Sequence, residues 1–248
     1  AASPDGLTLA VEADRDGDTV SPAHTVSVLD LNRTVSFDDL RARLKAQLPD
    51  EADLRRRMTR AFQPIANLAE SVVSTISPTR VYRHMQALTA FGSKYVTQPG
   101  NARAIEYVER AYQSFGYTPE LQWLTAPRGP DSDGRTANVV ATLRGTAHPE
   151  LIYVVSSHFD SVAGGPGADD DTSGTAALLE AARLMAGSPQ PATVVFASFT
   201  GEEAGLLGSR EFVRLAAERK WRIAGALNND MIGWAGEPNG PCRWECRR

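Results

Sequence analysis

Residues 151–160 read Leu-Ile-Tyr-Val-Val-Ser-Ser-His-Phe-Asp, an apolar run that ends in a histidine and an acid. The apolar part is continuous rather than alternating, which is typical of a strand covered by other layers on both faces. Residues 194–197, Val-Val-Phe-Ala, form a second run of this kind. Both runs therefore predict strands of a central sheet with helices on both faces.

Strands and helices alternate around these runs. We predict strands at 119–125, 136–143, 151–157, 192–199 and 222–229, and helices at 172–186 and about 205–219. Two further helices come first: one begins where Ser77 can cap and Pro78 takes the first helical position, and the other places an apolar stripe along 101–115. The late alternation of strand and helix predicts an α/β fold with a mostly parallel sheet.

Composition divides the chain into four parts. We predict a β-rich arm or linker at 1–35, a helical extension at 36–75, a main domain at 76–236 and an irregular tail at 237–248. Within the extension we expect helices at 36–48, 51–61 and about 64–75. The tail holds both cysteines of the chain, Cys242 and Cys246, so no disulfide framework is expected in the body.

Charge and hydropathy exclude several functions. The 248 residues carry a formal net charge of -4, which offers no basic surface for nucleic acid. No apolar stretch approaches the roughly 20 residues that a membrane span needs. With 42% hydrophobic residues the chain is typical of a folded globular protein.

Polar side chains follow three of the predicted strands at the point where each strand ends. In an open α/β sheet the ligand site lies beyond the carboxyl ends of the strands, so these side chains are expected at one edge. They comprise one imidazole and four carboxylates: His158, Asp160, Glu202, Glu203 and Asp230.

Carboxylates that converge in this way repel one another unless a cation neutralises them. Imidazole with carboxylates and no nearby thiolate suits Zn²⁺, while Mn²⁺ and Co²⁺ are tolerable substitutes. Adjacent glutamates point different ways, so one of Glu202 and Glu203 can bind metal while the other takes a proton from a metal-activated water.

Four segments in this order resemble the zinc aminopeptidase family, peptidase family twenty-eight, which includes dizinc leucyl aminopeptidases. They are 157–161 (Ser-His-Phe-Asp-Ser), 167–174 (Gly-Ala-Asp-Asp-Asp-Thr-Ser-Gly), 200–209 (Thr-Gly-Glu-Glu-Ala-Gly-Leu-Leu-Gly-Ser) and 228–233 (Asn-Asn-Asp-Met-Ile-Gly). The similarity covers about residues 75–235. It implies a zinc peptidase domain that acts on peptide substrates, and it favours a secreted or periplasmic location.

The resemblance also implies a role for each matching residue. His158 and Asp230 correspond to ligands of the first zinc, Asp170 to the carboxylate that bridges two zinc ions, and Glu203 to a ligand of the second. Glu202 corresponds to the general base and Asp160 to the acid that orients the histidine. Asp169 and Asp171 are expected to be turn acids, and Asp171 is suited to cap the helix that follows.

One feature departs from the family pattern. The remaining ligand of the family is a histidine well downstream of the aspartate, but the histidines here are His24, His84, His148 and His158. We therefore expect that the last part of the domain has been lost by truncation or frame shift, that the second zinc site is incomplete, and that activity is impaired.

Three functions are compatible with these observations. The first is a metal-dependent exopeptidase, expected to be an aminopeptidase. The second is a non-catalytic relative that keeps the fold as a binding or structural protein. The third is a glutaminyl cyclase, which shares the fold but uses one zinc ion. The intact pair Glu202-Glu203 together with Asp170 favours the peptidase.

Overall fold

The computed structural model describes residues 7–10, 27–30, 37–129 and 132–233. The chain forms two compact units, Ala1–Ser71 and Val72–Arg248. Most of the predicted arm and the whole predicted tail, including His24 and both cysteines, lie outside the described residues.

The first unit contains a small antiparallel ribbon and a long helix. Strand β1 (Leu7–Ala10) pairs with β2 (Ser27–Asp30), and helix α1 spans Phe37–Phe62. The prediction of two helices in this range was wrong, because α1 continues past Pro49. A proline removes one backbone donor and strains one turn, but neighbouring turns can still propagate the helix on either side.

The second unit contains the elements that carry the predicted site. A short 3₁₀ turn (Gln63–Ile65) and helix α2 (Ala66–Val73) precede these elements in the chain. The elements that follow are α3 (Pro78–Thr89), α4 (Pro99–Ser114), β3 (Glu120–Thr125), β4 (Arg135–Leu143), β5 (His148–His158), α5 (Thr172–Met185), β6 (Ala192–Phe199), α6 (Leu207–Glu218) and β7 (Arg222–Asn228). Each was predicted to within a few residues. The Ser77 side chain accepts a hydrogen bond from the Arg80 N–H at 3.3 Å, which confirms the predicted cap.

The five strands β3 to β7 form one mixed sheet in the order β3-β4-β6-β5-β7. Strand β5 is central to the parallel part, since it pairs in parallel with both β6 and β7. Strands β3 and β4 join the other side of the sheet in antiparallel pairings. The α/β class is confirmed, and the carboxyl ends of β6, β5 and β7 lie side by side.

Helices cover both faces of this sheet. Successive residues of β4 and β6 point to opposite faces of the sheet. Val139 and Val194 therefore pack in one core, and Val140 and Val195 pack in the other. The larger core also contains apolar side chains of α3, α4 and α5, and the smaller one contains Phe212 of α6. Burial on both faces explains the continuous apolar run in β6. In β5, Tyr153 is 47% exposed, so the prediction that this strand is covered on both faces holds only in part.

None of the helices in the described ranges combines the length and the low polarity that a membrane crossing requires.

Candidate metal centre

The centre of the predicted site is His158, the last residue of β5, whose side chain is 4% exposed. Its Nε2 atom lies 3.1 Å from Oδ1 of Asp170 and 3.8 Å from Oδ1 of Asp230. One ligand atom from each of these three residues lies within 4.8 Å of the others. The two aspartates are 45% and 46% exposed, so the group is open to solvent on their side.

Asp160 is completely buried and contacts two parts of the site. Its Oδ1 lies 3.3 Å from Nδ1 of His158, in an ion-pair contact rather than a hydrogen bond. Its two oxygens also accept hydrogen bonds from the backbone N–H groups of Glu202 at 3.1 Å and Glu203 at 3.2 Å. One carboxylate thus places both the histidine and the glutamate pair.

The predicted cap at Asp171 is confirmed, and this carboxylate does more than cap a helix. It accepts hydrogen bonds from the N–H of Gly174 in α5 at 3.0 Å, of His158 at 3.2 Å and of Met231 at 3.1 Å. The sequence indicated only the first of these contacts. Asp171 therefore joins the end of β5 to the segment that follows β7.

Asp169 has a similar role on the other side of Asp170. Its Oδ1 accepts hydrogen bonds from Ser173 Oγ at 2.9 Å and from the Gly233 N–H at 2.8 Å. The peptide bond between Asp170 and Asp171 is cis. Of the three consecutive aspartates, Asp170 is the one whose carboxylate approaches Nε2 of His158.

The two glutamates have different surroundings. Glu202 lines a cavity of about 210 Å³ together with His158 and Asp230. Glu203 does not line this cavity, and its Oε1 is shielded from solvent without a hydrogen-bond partner among the described residues. Glu202 and Glu203 can act as base and ligand only if their surroundings differ in this way. The two roles themselves stay predictions.

The electrostatics of the site reflect its excess of acids. Burial lowers the pKa of His158, but Asp160, Asp171 and Asp230 outweigh this effect and raise it to about 9. Burial, with the neighbouring carboxylates, raises the pKa of Glu202 and of Glu203 above the ordinary value. Burial is also the main reason that the pKa of Asp171 rises to about 8. A bound cation would relieve the repulsion among the carboxylates of the site.

The donor set fits zinc. A buried acceptor without a partner costs roughly 1–3 kcal/mol, and Oε1 of Glu203 is such an acceptor beside the acidic group. Imidazole nitrogen and carboxylate oxygen are ordinary zinc ligands. A metal ion would satisfy the unpaired oxygen and neutralise the neighbouring carboxylates.

The other described histidines do not join the site. Nδ1 of His84, in α3, lies 2.7 Å from the hydroxyl of Tyr107. His148 is the first residue of β5, at the opposite end of that strand from His158. This agrees with the expectation that neither replaces the missing family ligand.

The structure adds Lys94 to the neighbourhood of the site, which the sequence did not indicate. Lys94 is completely buried, between α3 and α4. The sequence carries one weak signal for this residue, since Lys94 stands among aromatic, small and apolar residues in 91–96. A lysine in a loop is ordinarily exposed, so this signal did not predict burial.

Known proteins resemble this chain in sequence and in fold. Residues 138–240 match the model of peptidase family M28. A probable zinc metalloprotease of Pyricularia oryzae is 30% identical over 240 residues, which are 87% of this chain and 48% of that protein. An aminopeptidase of Pseudomonas aeruginosa is 42% identical over 121 residues, which are 48% of this chain and 22% of that protein.

A solved zinc aminopeptidase from Bacillus subtilis shares the fold, with a TM-score of 0.59 over 64% of this chain and 70% of that one. Its sequence is 14% identical, so the likeness concerns the fold alone.

An α/β domain with a histidine–carboxylate group at the carboxyl edge of its sheet is the arrangement that the resemblance to zinc peptidases predicted. Its resemblance to the zinc aminopeptidases of peptidase family M28 is confirmed by sequence and by fold. The chain spans about half the length of the first of these relatives.

Proposed function

We propose that the protein is a zinc exopeptidase that acts as an aminopeptidase, with Glu202 as general base. One observation carries this proposal. One ligand atom from each of His158, Asp170 and Asp230 lies within 4.8 Å of the others, and Glu202 lines a cavity together with His158 and Asp230. The site therefore offers metal ligands and a separate proton acceptor at the same edge of the sheet.

The proposed ligands divide between two zinc positions. His158, Asp170 and Asp230 would hold the first ion, and Asp170 and Glu203, whose Oε1 is unpaired, would hold the second. Bound zinc supplies a Lewis acid that lowers the pKa of a water and polarises the substrate carbonyl. Asp160 contacts the imidazole of His158 and would keep it oriented when an ion binds.

Glu202 transfers the proton in this proposal. Its backbone N–H is anchored by Asp160, which fixes where the side chain begins. The pKa of Glu202 is raised toward neutral pH. A carboxylate with such a pKa can accept a proton from water and return it to a leaving amine. The cavity beside it gives the substrate a place next to the carboxylate.

The second zinc position has fewer ligands in the part of the chain that the structure describes. Asp170 and Glu203 supply carboxylates there, and neither His84 nor His148 comes near. We propose that this position is occupied more weakly than the first, and that turnover by this chain is reduced accordingly.

Two matched substitutions test the assignment. Glu202→Gln should abolish hydrolysis of an aminoacyl anilide and retain the wild-type zinc content, measured by elemental analysis. Glu203→Gln should lower the zinc content. Loss of zinc in the Glu202 variant with retention in the Glu203 variant would show that the two roles are reversed.

The products distinguish the proposed function from its alternatives. A free N-terminus should be required for cleavage, so an N-acetylated peptide should resist the protein while its unblocked counterpart loses its first residue. Release of the C-terminal residue would indicate a carboxypeptidase, and cyclisation of an N-terminal glutamine would indicate a cyclase. Zinc binding without turnover of any of these would favour the non-catalytic alternative.

A further inference from the structure

Lys94 lies behind the acidic site and is buried although it carries a charged group. Among the described side chains it is the one lysine or arginine that is fully buried. Its Nζ donates a hydrogen bond to the carbonyl of Pro166, and its backbone N–H donates to Ser161 Oγ at 2.9 Å. Both partners belong to one loop, residues 161–169.

This loop joins two acids of the proposed metal site. Asp160 precedes it and Asp170 follows it. Within the loop, Ser161 Oγ donates to the carbonyl of Gly165 at 2.9 Å, so the contacts of Lys94 fall at both ends of an internal turn. Because the ends of the loop carry the two acids, a constraint on its path also constrains their separation.

A polar network connects Lys94 to the glutamate loop as well. Its carbonyl accepts a hydrogen bond at 3.0 Å from Nδ2 of Asn101, which also donates to Thr200 Oγ1 at 3.2 Å. Thr200 lies two residues before Glu202 and is completely buried. Lys94 thus contacts one acid-bearing loop directly and the other through Asn101.

The charge of Lys94 interacts electrostatically with Asp160. Burial lowers its pKa to about 8, while the nearby carboxylate of Asp160 acts in the opposite direction. An ammonium in this position can offset part of the repulsion among the acids.

We propose that Lys94 is a positioning residue for the metal centre: it holds the 161–169 loop so that Asp160 and Asp170 stay within reach of His158. It does not contact the reacting groups. The inference rests on the proposed zinc site, and it predicts that Lys94 controls the affinity of that site rather than only the stability of the fold.

The test compares Lys94→Met, which keeps an unbranched apolar stem but removes charge and donor, with Tyr112→Phe. Tyr112 is fully buried in the larger core, and its hydroxyl lies 3.0 Å from Ser198 Oγ. Like Lys94→Met, Tyr112→Phe therefore loses a buried polar contact, but this contact does not involve the 161–169 loop. Zinc affinity is measured on the whole chain by competition with a chromophoric chelator, well below the unfolding temperature. The visible spectrum of the Co²⁺-loaded protein reports the ligand geometry.

Lys94→Met should weaken zinc binding about 10- to 100-fold and shift the Co²⁺ spectrum, as expected when support of a ligand is lost. Tyr112→Phe should lower the unfolding temperature and leave both readouts unchanged. Wild-type affinity and spectrum in Lys94→Met would overturn the inference while the zinc site stands. Failure of the wild-type protein to bind zinc would overturn the proposed function, and the inference with it.

Lys94→Gln serves if the methionine variant does not fold. It keeps an N–H donor without the charge, and it should weaken zinc binding to a smaller extent than the methionine variant. Unchanged zinc affinity in a folded Lys94→Gln protein would equally overturn the inference.

Discussion

Replacing Asp160 with asparagine perturbs both halves of the proposed site without changing the size of the side chain. The carboxylate is completely buried and accepts the backbone N–H groups of Glu202 and Glu203, one on each oxygen. Asparagine keeps one acceptor oxygen and turns an NH₂ group toward the other donor. One charge-assisted hydrogen bond is lost, and a buried N–H is left facing a donor.

The expected magnitude follows from these contacts. A hydrogen bond to a charged group contributes about 1.5–3 kcal/mol, and an unsatisfied buried donor costs about 1–3 kcal/mol. Removing a negative charge beside the two glutamates offsets part of this loss. We expect Asp160→Asn to lower the free energy of unfolding of the metal-free protein by about 2 kcal/mol, within the usual range for such contacts. Zinc affinity should fall about 10- to 100-fold because the histidine loses its orienting carboxylate.

Urea unfolding of the metal-free protein measures the first effect, and zinc competition titration measures the second. Glu106→Gln is the matched control, since Glu106 is 63% exposed and pairs with Arg110 on the surface of α4. This variant should change stability by less than about 0.5 kcal/mol and leave zinc affinity unchanged. If Asp160→Asn behaves like the control in both assays, Asp160 does not position the site.

Two further predictions concern the supporting structure. The pKa of Glu180 lies below its ordinary value of 4.5, first because Arg183 donates to the carboxylate at 2.7 Å. The stabilisation by Glu180 is therefore complete above pH 4.5 and is lost as the pH falls through the pKa of the folded state. Glu180→Gln should be less stable than the wild type by about 1 kcal/mol at pH 7, and this difference should vanish in unfolding experiments at acid pH. A Cβ at Gly174 would lie 2.4 Å from Oδ1 of Asp171, whereas a Cβ at Gly164 has nothing within 4 Å. Gly174→Ala should lower the midpoint of urea unfolding by the equivalent of about 1–3 kcal/mol, and equal midpoints for Gly164→Ala and Gly174→Ala would refute this packing argument.

Much of the fold and site could be predicted from sequence because the signals are local. Continuous apolar runs indicated β5 and β6, and polar residues immediately after them indicated which edge of the sheet carries the chemistry. The contacts of His158 with Asp170 and Asp230 follow from that edge once β6, β5 and β7 are neighbours.

The features that could not be predicted depend on residues distant in sequence. Lys94 contacts Pro166 across 72 positions, and Asn101 contacts Thr200 across 99, so no local pattern marks either residue. The antiparallel pairing of β4 with β6 depends likewise on the order of strands in the sheet. The continuation of α1 past Pro49 was not predicted either, and it differs from the usual effect of proline, which kinks or ends a helix.

Zinc binding by His158, Asp170 and Asp230 at the carboxyl edge of the sheet can be observed directly by anomalous diffraction at the zinc edge, from crystals of the zinc-loaded protein. We expect an anomalous peak within bonding distance of His158 Nε2 and of both aspartate carboxylates. A folded, zinc-loaded protein with no peak there, or with its zinc bound by other residues, would contradict it.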